Sequence, residues 1–203
     1  MRAEYENVLD DHLGKIHFTY VNTWDELLPA HWHEHLEIIY VLGGEITASI
    51  NDVSYELKKG DIFLVNSNDI HYTYTHEDAR YYLLQIPPVH LERISAKWKG
   101  LKFQELIRSK SADACVQGEQ LENVQGKGLV EMRENRKFTN RADDLYDQLR
   151  DVFRKIAGFY EEKKEGYHLL VLSAVYFIFF IQKESGVRKI QKPLTALCET
   201  WSG

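Results

Sequence analysis

The chain has 203 residues, 44% of them hydrophobic and 28% charged, which suits one globular domain or one domain with a helical appendage. Its formal net charge of −6 argues against an intrinsic footprint for a phosphate backbone. Its two cysteines, Cys115 and Cys198, are far apart, which argues against a disulfide scaffold or a zinc–thiolate site. The first residues, MRAEYENVLDD, are charged and lack the apolar stretch of a signal peptide, so a cytoplasmic protein with free thiols is expected.

In chain order, β-rich runs are predicted at residues 36–42, 45–50, 54–57, 61–65, 71–75 and 80–86. Turn signals separate them: Gly43-Gly44, Asn51-Asp52, Lys59-Gly60 and residues 66–69. This regular spacing predicts an all-β sandwich or barrel, and Asn51-Asp52, between ITASI and VSYEL, predicts a tight hairpin. After Pro87-Pro88 the strand signal fades. Residues 90–107 read as partly helical, and the polar stretch 109–140 as loop or short helices. Leu145, Leu149, Val152, Phe153, Ile156 and Tyr160 then recur at helical spacing, with Asp143 and Asp144 in the cap region. Beyond Gly166, YHLLVLSAVYFIFFIQ is apolar nearly all round, so it must be covered on most sides. Its apolar run, interrupted by Ser173, is shorter than the roughly 20 residues of a membrane span. The two helices predict an antiparallel hairpin, and Lys192-Pro193 would stop any further helix. The expected organisation is a barrel over residues 1–88, a connection over 89–142, a helical hairpin over 143–185 and a linker or tail over 186–203.

The segment His31-Trp-His33-Glu-His35-Leu-Glu37 carries the chemistry. Read as one strand, it puts His31, His33, His35 and Glu37 on one face, and imidazoles with a carboxylate suit a divalent first-row metal. His71, at the start of a later strand, is a fourth candidate ligand, and His35 is expected at the rim. Parity continues the inward face to Ile39 and Val41, and from His71 to Thr73 and Thr75, leaving Tyr40, Tyr72 and Tyr74 outward. On the strand at 80–86 the phase is open: either Tyr82 with Leu84 or Tyr81 with Gln85 faces the pocket. The candidate ligand-binding set is His31, His33, Glu37, Ile39, His71, Thr73 and Tyr82. No phosphate-binding glycine loop, nucleophile elbow or catalytic triad is evident.

The pattern HxHxxxExxxxxxG, through His31, His33, Glu37 and Gly44, resembles the first cupin motif, and the segment from Gly60 to His71 resembles the second. The second departs from the usual wording at Asn66, Asn68 and Thr75, where the family has Pro, Gly and Asn. The resemblance implies a mainly β fold, a cupin-type double-stranded β-helix (jelly-roll) barrel followed by a C-terminal α-helical hairpin. It also implies a site at His31, His33, Glu37 and His71 for a polar ligand or a divalent metal, zinc, nickel, iron or manganese.

More narrowly, HWHEHLEIIYVLGGE and INDVSYELKKGDIFLVNSNDIHYTY are similar to the N-terminal sensor half of AraC-type transcriptional regulators, over roughly residues 10–185. That resemblance implies a small-molecule effector, a sugar or another polar metabolite, inside the barrel and a homodimer formed by the C-terminal helices. By the same analogy residues 5–20 cover the pocket. The helix-turn-helix half is absent from these residues, so an excised or truncated sensor is expected that binds neither DNA nor membrane itself. A non-enzymatic role is expected. The alternatives are a metal-dependent cupin enzyme, such as a dioxygenase or isomerase, and a free-standing partner that pairs with a full-length relative.

Overall fold

The computed structural model describes residues 3–8, 16–76, 78–94, 101–108, 141–163, 167–185 and 189–190. The expectations for residues 109–140, for Gly166 and for Lys192-Pro193 lie outside them. The strands are β1 (Glu4–Tyr5), β2 (His17–Thr23), β3 (Glu26–Trp32), β4 (Leu36–Gly43), β5 (Ile46–Ile50), β6 (Val53–Leu57), β7 (Ile62–Val65), β8 (His71–Thr75), β9 (Ala79–Ile86), β10 (Leu101–Lys102), β11 (Leu106–Ile107) and β12 (Lys189–Ile190). The helices are α1 (Pro88–Ile94), α2 (Arg141–Glu162) and α3 (Tyr167–Ser185).

One sheet has the order β1-β3-β8-β5-β6 and the other β11-β7-β4-β9-β2, while β10 pairs with β12. Apart from the parallel pair β1–β3, all pairings are antiparallel. The inner faces enclose Ile39, Val41, Ile46, Ala48, Ile50, Phe63 and Val65. This is the jelly-roll barrel that the motifs imply, and α2 and α3 form the hairpin behind it.

The runs predicted from residue 36 onward coincide with β4 to β9 to within a residue or so. The tight hairpin is also present: Ile50 pairs with Val53, and both Asn51 (φ 46°) and Asp52 (φ 68°) take the positive φ that a two-residue turn of the right twist requires. Three strands upstream, β1, β2 and β3, went unpredicted, as did β10 and β11 within the stretch read as partly helical. Strand β3 contains Pro29, and its register against β8 shifts between Leu28 and His31, a bulge that accommodates a residue without an amide hydrogen.

Strand β4 is buried on both faces, which explains its apolar wording from Ile38 to Leu42. Its inner residues join the barrel core, while Leu36, Ile38 and Tyr40 join a second core under the helices. There the predicted stripe Leu145, Leu149, Val152, Phe153 and Ile156 of α2 lies against Phe18, Tyr40 and Leu84, with Tyr40 and Phe153 rings 5.6 Å apart. Helix α3 contributes Val171, Val175 and Ile178 to the same core.

Candidate functional site

Strand β3 ends at Trp32 and β4 begins at Leu36, so the HWHEHLE segment is not one strand. His31 lies in one sheet, Glu37 in the other, and His33 in the bend that crosses between them. The single-strand expectation is therefore corrected. The residues converge because the two sheets face each other. His71 arrives from β8, directly paired with His31 in register.

All four side chains are buried: His31 is 7% exposed, His33 1%, Glu37 4% and His71 2%. One ring nitrogen from each of the three histidines lies within 4.8 Å of the others. Each Nδ1 meets a backbone carbonyl: His31 that of Pro29 at 2.8 Å, His33 that of His35 at 3.2 Å and His71 that of Asp69 at 2.9 Å. A carbonyl only accepts, so each Nδ1 carries a proton and donates it, and a neutral ring is then left with a lone pair on Nε2; His33 differs, because its Nε2 faces the acceptor-only Glu37 carboxylate and carries a proton there too unless a metal takes its place. This is the outer-shell arrangement that orients histidines toward a metal.

Glu37 Oε2 lies 3.1 Å from His33 Nε2 and accepts a hydrogen bond from Gln85 Nε2 at 2.9 Å. Its Oε1 lies 3.9 Å from His71 Nε2, which is buried and has no hydrogen-bond partner. Burial opposes ionisation of Glu37, but the hydrogen bond from His33, the charges of His71 and His33, and Gln85 outweigh it and hold the carboxyl at about 2. Burial also works against a charged His33, yet its bond to Glu37 and the negative charges of Glu37 and Glu6 raise its pKa. At His71 burial prevails over Glu37 and the pKa is lowered, so this ring is neutral and its open nitrogen is an electron-pair donor.

Around this cluster Ile39 and Val41 face inward, as parity predicts, and Thr73 and Thr75 are buried on the inner face of β8. Thr75 is already engaged, its hydroxyl donating to the Glu26 carbonyl at 3.2 Å. Tyr82 does not face the pocket and is corrected. Pairing of β4 with β9 sets Glu37 opposite Gln85, Ile39 opposite Leu83 and Val41 opposite Tyr81, so Tyr81 and Gln85 are the inward set. Tyr82 points to the helix side and stacks on Phe18 at 5.3 Å. Burial, with the charges of Glu37 and Glu26, pushes the Tyr81 hydroxyl up to about 12, so it stays protonated and able to donate.

Two contributors carry no motif. Glu6, on the N-terminal segment, reaches within 3.5 Å of His31 Nε2 and 3.8 Å of His33 Nε2. Asn66 stands where the second motif usually has Pro, and its side chain clasps the Phe103 backbone, accepting from its N–H at 2.6 Å and donating to its carbonyl at 3.2 Å. A separate cleft lies between α2 and the outer side of the barrel, lined by Tyr40, Lys59, Tyr146, Arg150 and Arg154. Its arginines face Asp147 and Asp151, so the convergent open donors are those of the histidine cluster.

The donor set fits a divalent cation. Three imidazoles that turn Nε2 toward one another, with the Glu37 carboxylate 3.1 Å from His33 and 3.9 Å from His71, are borderline-to-hard ligands, and a buried acceptor without a partner stands among them.

A family model described as an AraC-like ligand binding domain matches residues 14–176. Among solved structures, the chain is similar to a conserved protein of unknown function from Streptococcus pyogenes (16% identity, 36% of this chain and 65% of that one, TM-score 0.35). It is also similar to an RmlC-like cupin from Shewanella frigidimarina (20% identity, 36% and 66% covered, TM-score 0.34). A third is the oxalate decarboxylase with Mn(II) centers from Bacillus subtilis (20% identity, 36% and 21% covered, TM-score 0.33). The match thus spans 65% and 66% of the first two chains and 21% of the third. The comparison with curated proteins found no match.

Proposed function

The chain belongs to the family of AraC-like ligand binding domains, and from that premise we propose that it senses a small polar effector, a sugar or another hydroxylated metabolite, at the histidine cluster of its barrel. The observation that carries this reading is the buried, unpartnered Nε2 of His71 beside Glu37, a polar site in an otherwise apolar interior. A buried polar atom without a partner costs about 1–3 kcal/mol, and a ligand that satisfies it recovers that cost. His31, His33, Glu37 and His71 are the polar contacts, with Ile39 and Thr73 beside them. The effector acts by binding two arrangements of the domain with different affinities.

In a full regulator the helical hairpin forms the homodimer and a separate helix-turn-helix domain contacts DNA. The dimer part is supported by α3, whose Leu169, Leu170, Phe177 and Phe180 are exposed by 62%, 48%, 44% and 57%. No helix among the described residues is long and apolar enough to cross a membrane, which is compatible with action in the cytoplasm.

The test is a thermal-shift screen of sugars and small acids on the untagged chain. Compounds that stabilise the wild type and fail to stabilise His71→Ala and Glu37→Gln, with the oligomeric state unchanged, support the reading. Loss of the oligomer with unchanged effector affinity contradicts the division of roles.

A second reading, a metal-dependent cupin enzyme, is favoured by the three Nδ1–carbonyl bonds that turn the opposite ring nitrogens toward one another. His31, His33, His71 and Glu37 would hold a zinc, nickel, iron or manganese ion. Once bound, such an ion supplies Lewis-acid polarisation of a ligand oxygen. The chain's own residues fix the tautomers, exclude water through the apolar wall, and offer the Tyr81 hydroxyl as a donor. Turnover of a metabolite by the loaded protein separates this reading from a sensor that only binds.

A further inference from the structure

We infer that Glu6 is an additional donor to a divalent cation at the histidine cluster, so that loading the ion fastens the N-terminal strand to the barrel. The inference rests on the reading that the cluster holds such an ion.

Two buried atoms near the cluster have no hydrogen-bond partner, Glu6 Oε2 and His71 Nε2. Both are electron-pair donors, since His71 already gives its Nδ1 proton to the Asp69 carbonyl. Glu6 Oε2 lies 3.5 Å from His31 Nε2 and 3.8 Å from His33 Nε2, too far to form good hydrogen bonds. Ligand atoms about 2.0–2.2 Å from a common ion stand roughly 3–4 Å from one another when adjacent, so these separations suit atoms that share a cation. An anion would leave both atoms unsatisfied.

Charge balance points the same way. A divalent ion held by three neutral imidazoles and Glu37 alone leaves a net positive charge in a buried site, which is costly in a low dielectric. A second carboxylate makes the set neutral. Glu6 is the acidic group the fold delivers. Glu4 pairs with His31 and Tyr5 with Trp32 in the parallel β1–β3 ladder, and the Glu6 amide donates to the Trp32 carbonyl at 3.0 Å. Strand parity then puts Glu6 on the side of the sheet toward which His31 faces.

Among the described residues, little else secures this segment. Strand β1 has two residues at the edge of its sheet, both exposed, with one aromatic contact, Tyr5 on Trp32 at 4.9 Å. Its opening free energy is therefore low in the free protein and rises when Glu6 gains a bond to an ion. Occupancy of the site is thereby reported at the N-terminus.

The experiment uses the untagged full chain stripped with chelator, with zinc(II) as the probe and two readouts, amide hydrogen exchange and calorimetric affinity. The expected result is zinc binding that requires His71, with exchange at residues 4–7 slowed about tenfold or more. In Glu6→Gln that slowing disappears and zinc affinity falls about ten- to a hundredfold, while the stability of the stripped protein is unchanged. Should zinc bind in a His71-dependent way without slowing exchange at residues 4–7, and bind Glu6→Gln as tightly as the wild type, the role of Glu6 is overturned and the metal reading stands. If no zinc binding depends on His71, the metal reading itself is overturned, and the role of Glu6 with it. The exchange measurement on the wild type decides the matter even if the variant folds poorly.

Discussion

At the residue scale, the site works by leaving selected polar atoms unsatisfied while its neighbours are fully engaged. Asn66 is the engaged kind, 2% exposed and clasping Phe103 through two hydrogen bonds. Asn66→Ala removes both of these buried hydrogen bonds and should cost about 1–3 kcal/mol, read from denaturant unfolding. Glu37 governs the response to acid. Its pKa is lowered from 4.5 to about 2, so its contribution is present above the unfolded-state value and lost as pH falls from about 4.5 through about 2. The difference corresponds to about 3 kcal/mol, and Glu37→Gln should flatten that part of the acid-unfolding curve of stripped protein. An unaltered curve would show that another carboxylate governs it. His31, His33 and Glu37 were legible in the sequence because their spacing is local, and His71 through the likeness of its segment to the second motif. The inward choice of Tyr81 and Gln85 over Tyr82 was not, because an isolated strand has two equivalent phases until its pairing with β4 selects one. Glu6 was invisible for a related reason, since a parallel pairing between residues 4–5 and 31–32 leaves no mark in local pattern.

At the element scale, the strands read most easily were those bounded by turn residues, and β4 and β7 through their apolar wording. Strand β3 escaped because Glu26 and Pro29 interrupt its alternation, and the bulge at Pro29 is what lets His31 come opposite His71. The turn before β7 depends on a glycine. Gly60 has φ +95°, and a Cβ added there would lie 3.1 Å from the Tyr146 hydroxyl on α2. Gly60→Ala should therefore cost about 1–3 kcal/mol, measured as a lowered melting temperature with the histidine site intact. The neighbouring Asp61 is held on both oxygens by Arg108, at 3.0 and 2.6 Å, so the turn has limited freedom to relax.

At the scale of the whole molecule, the barrel offers two surfaces with separate tasks. The inner one carries the histidines and Glu37, and the outer one, through Phe18, Tyr40 and Leu84, seats the helical hairpin. Helix α3 still leaves apolar side chains exposed after covering this core, Phe177 and Phe180 stacked 6.1 Å apart among them. If the proposed dimer forms through this surface, Phe177→Glu with Phe180→Glu should convert it to monomers in sedimentation while leaving ligand or metal affinity within about twofold, since sites without shared partners act independently. A dimer that persists would assign that surface another occupant. That the second helix needed cover was legible from its all-round apolarity, but which of its faces meets the barrel depends on α2 and could not be read from composition.

The most direct test of the central claim, that the buried cluster is where this domain binds, is a calorimetric titration of chelator-stripped, untagged protein with zinc(II) beside His71→Ala. The account predicts about one ion per chain for the wild type and loss of that binding event in the variant. Zinc bound equally by both proteins would contradict it, whereas no zinc bound by either would overturn the metal reading and leave His31, His33, Glu37 and His71 as a polar effector pocket.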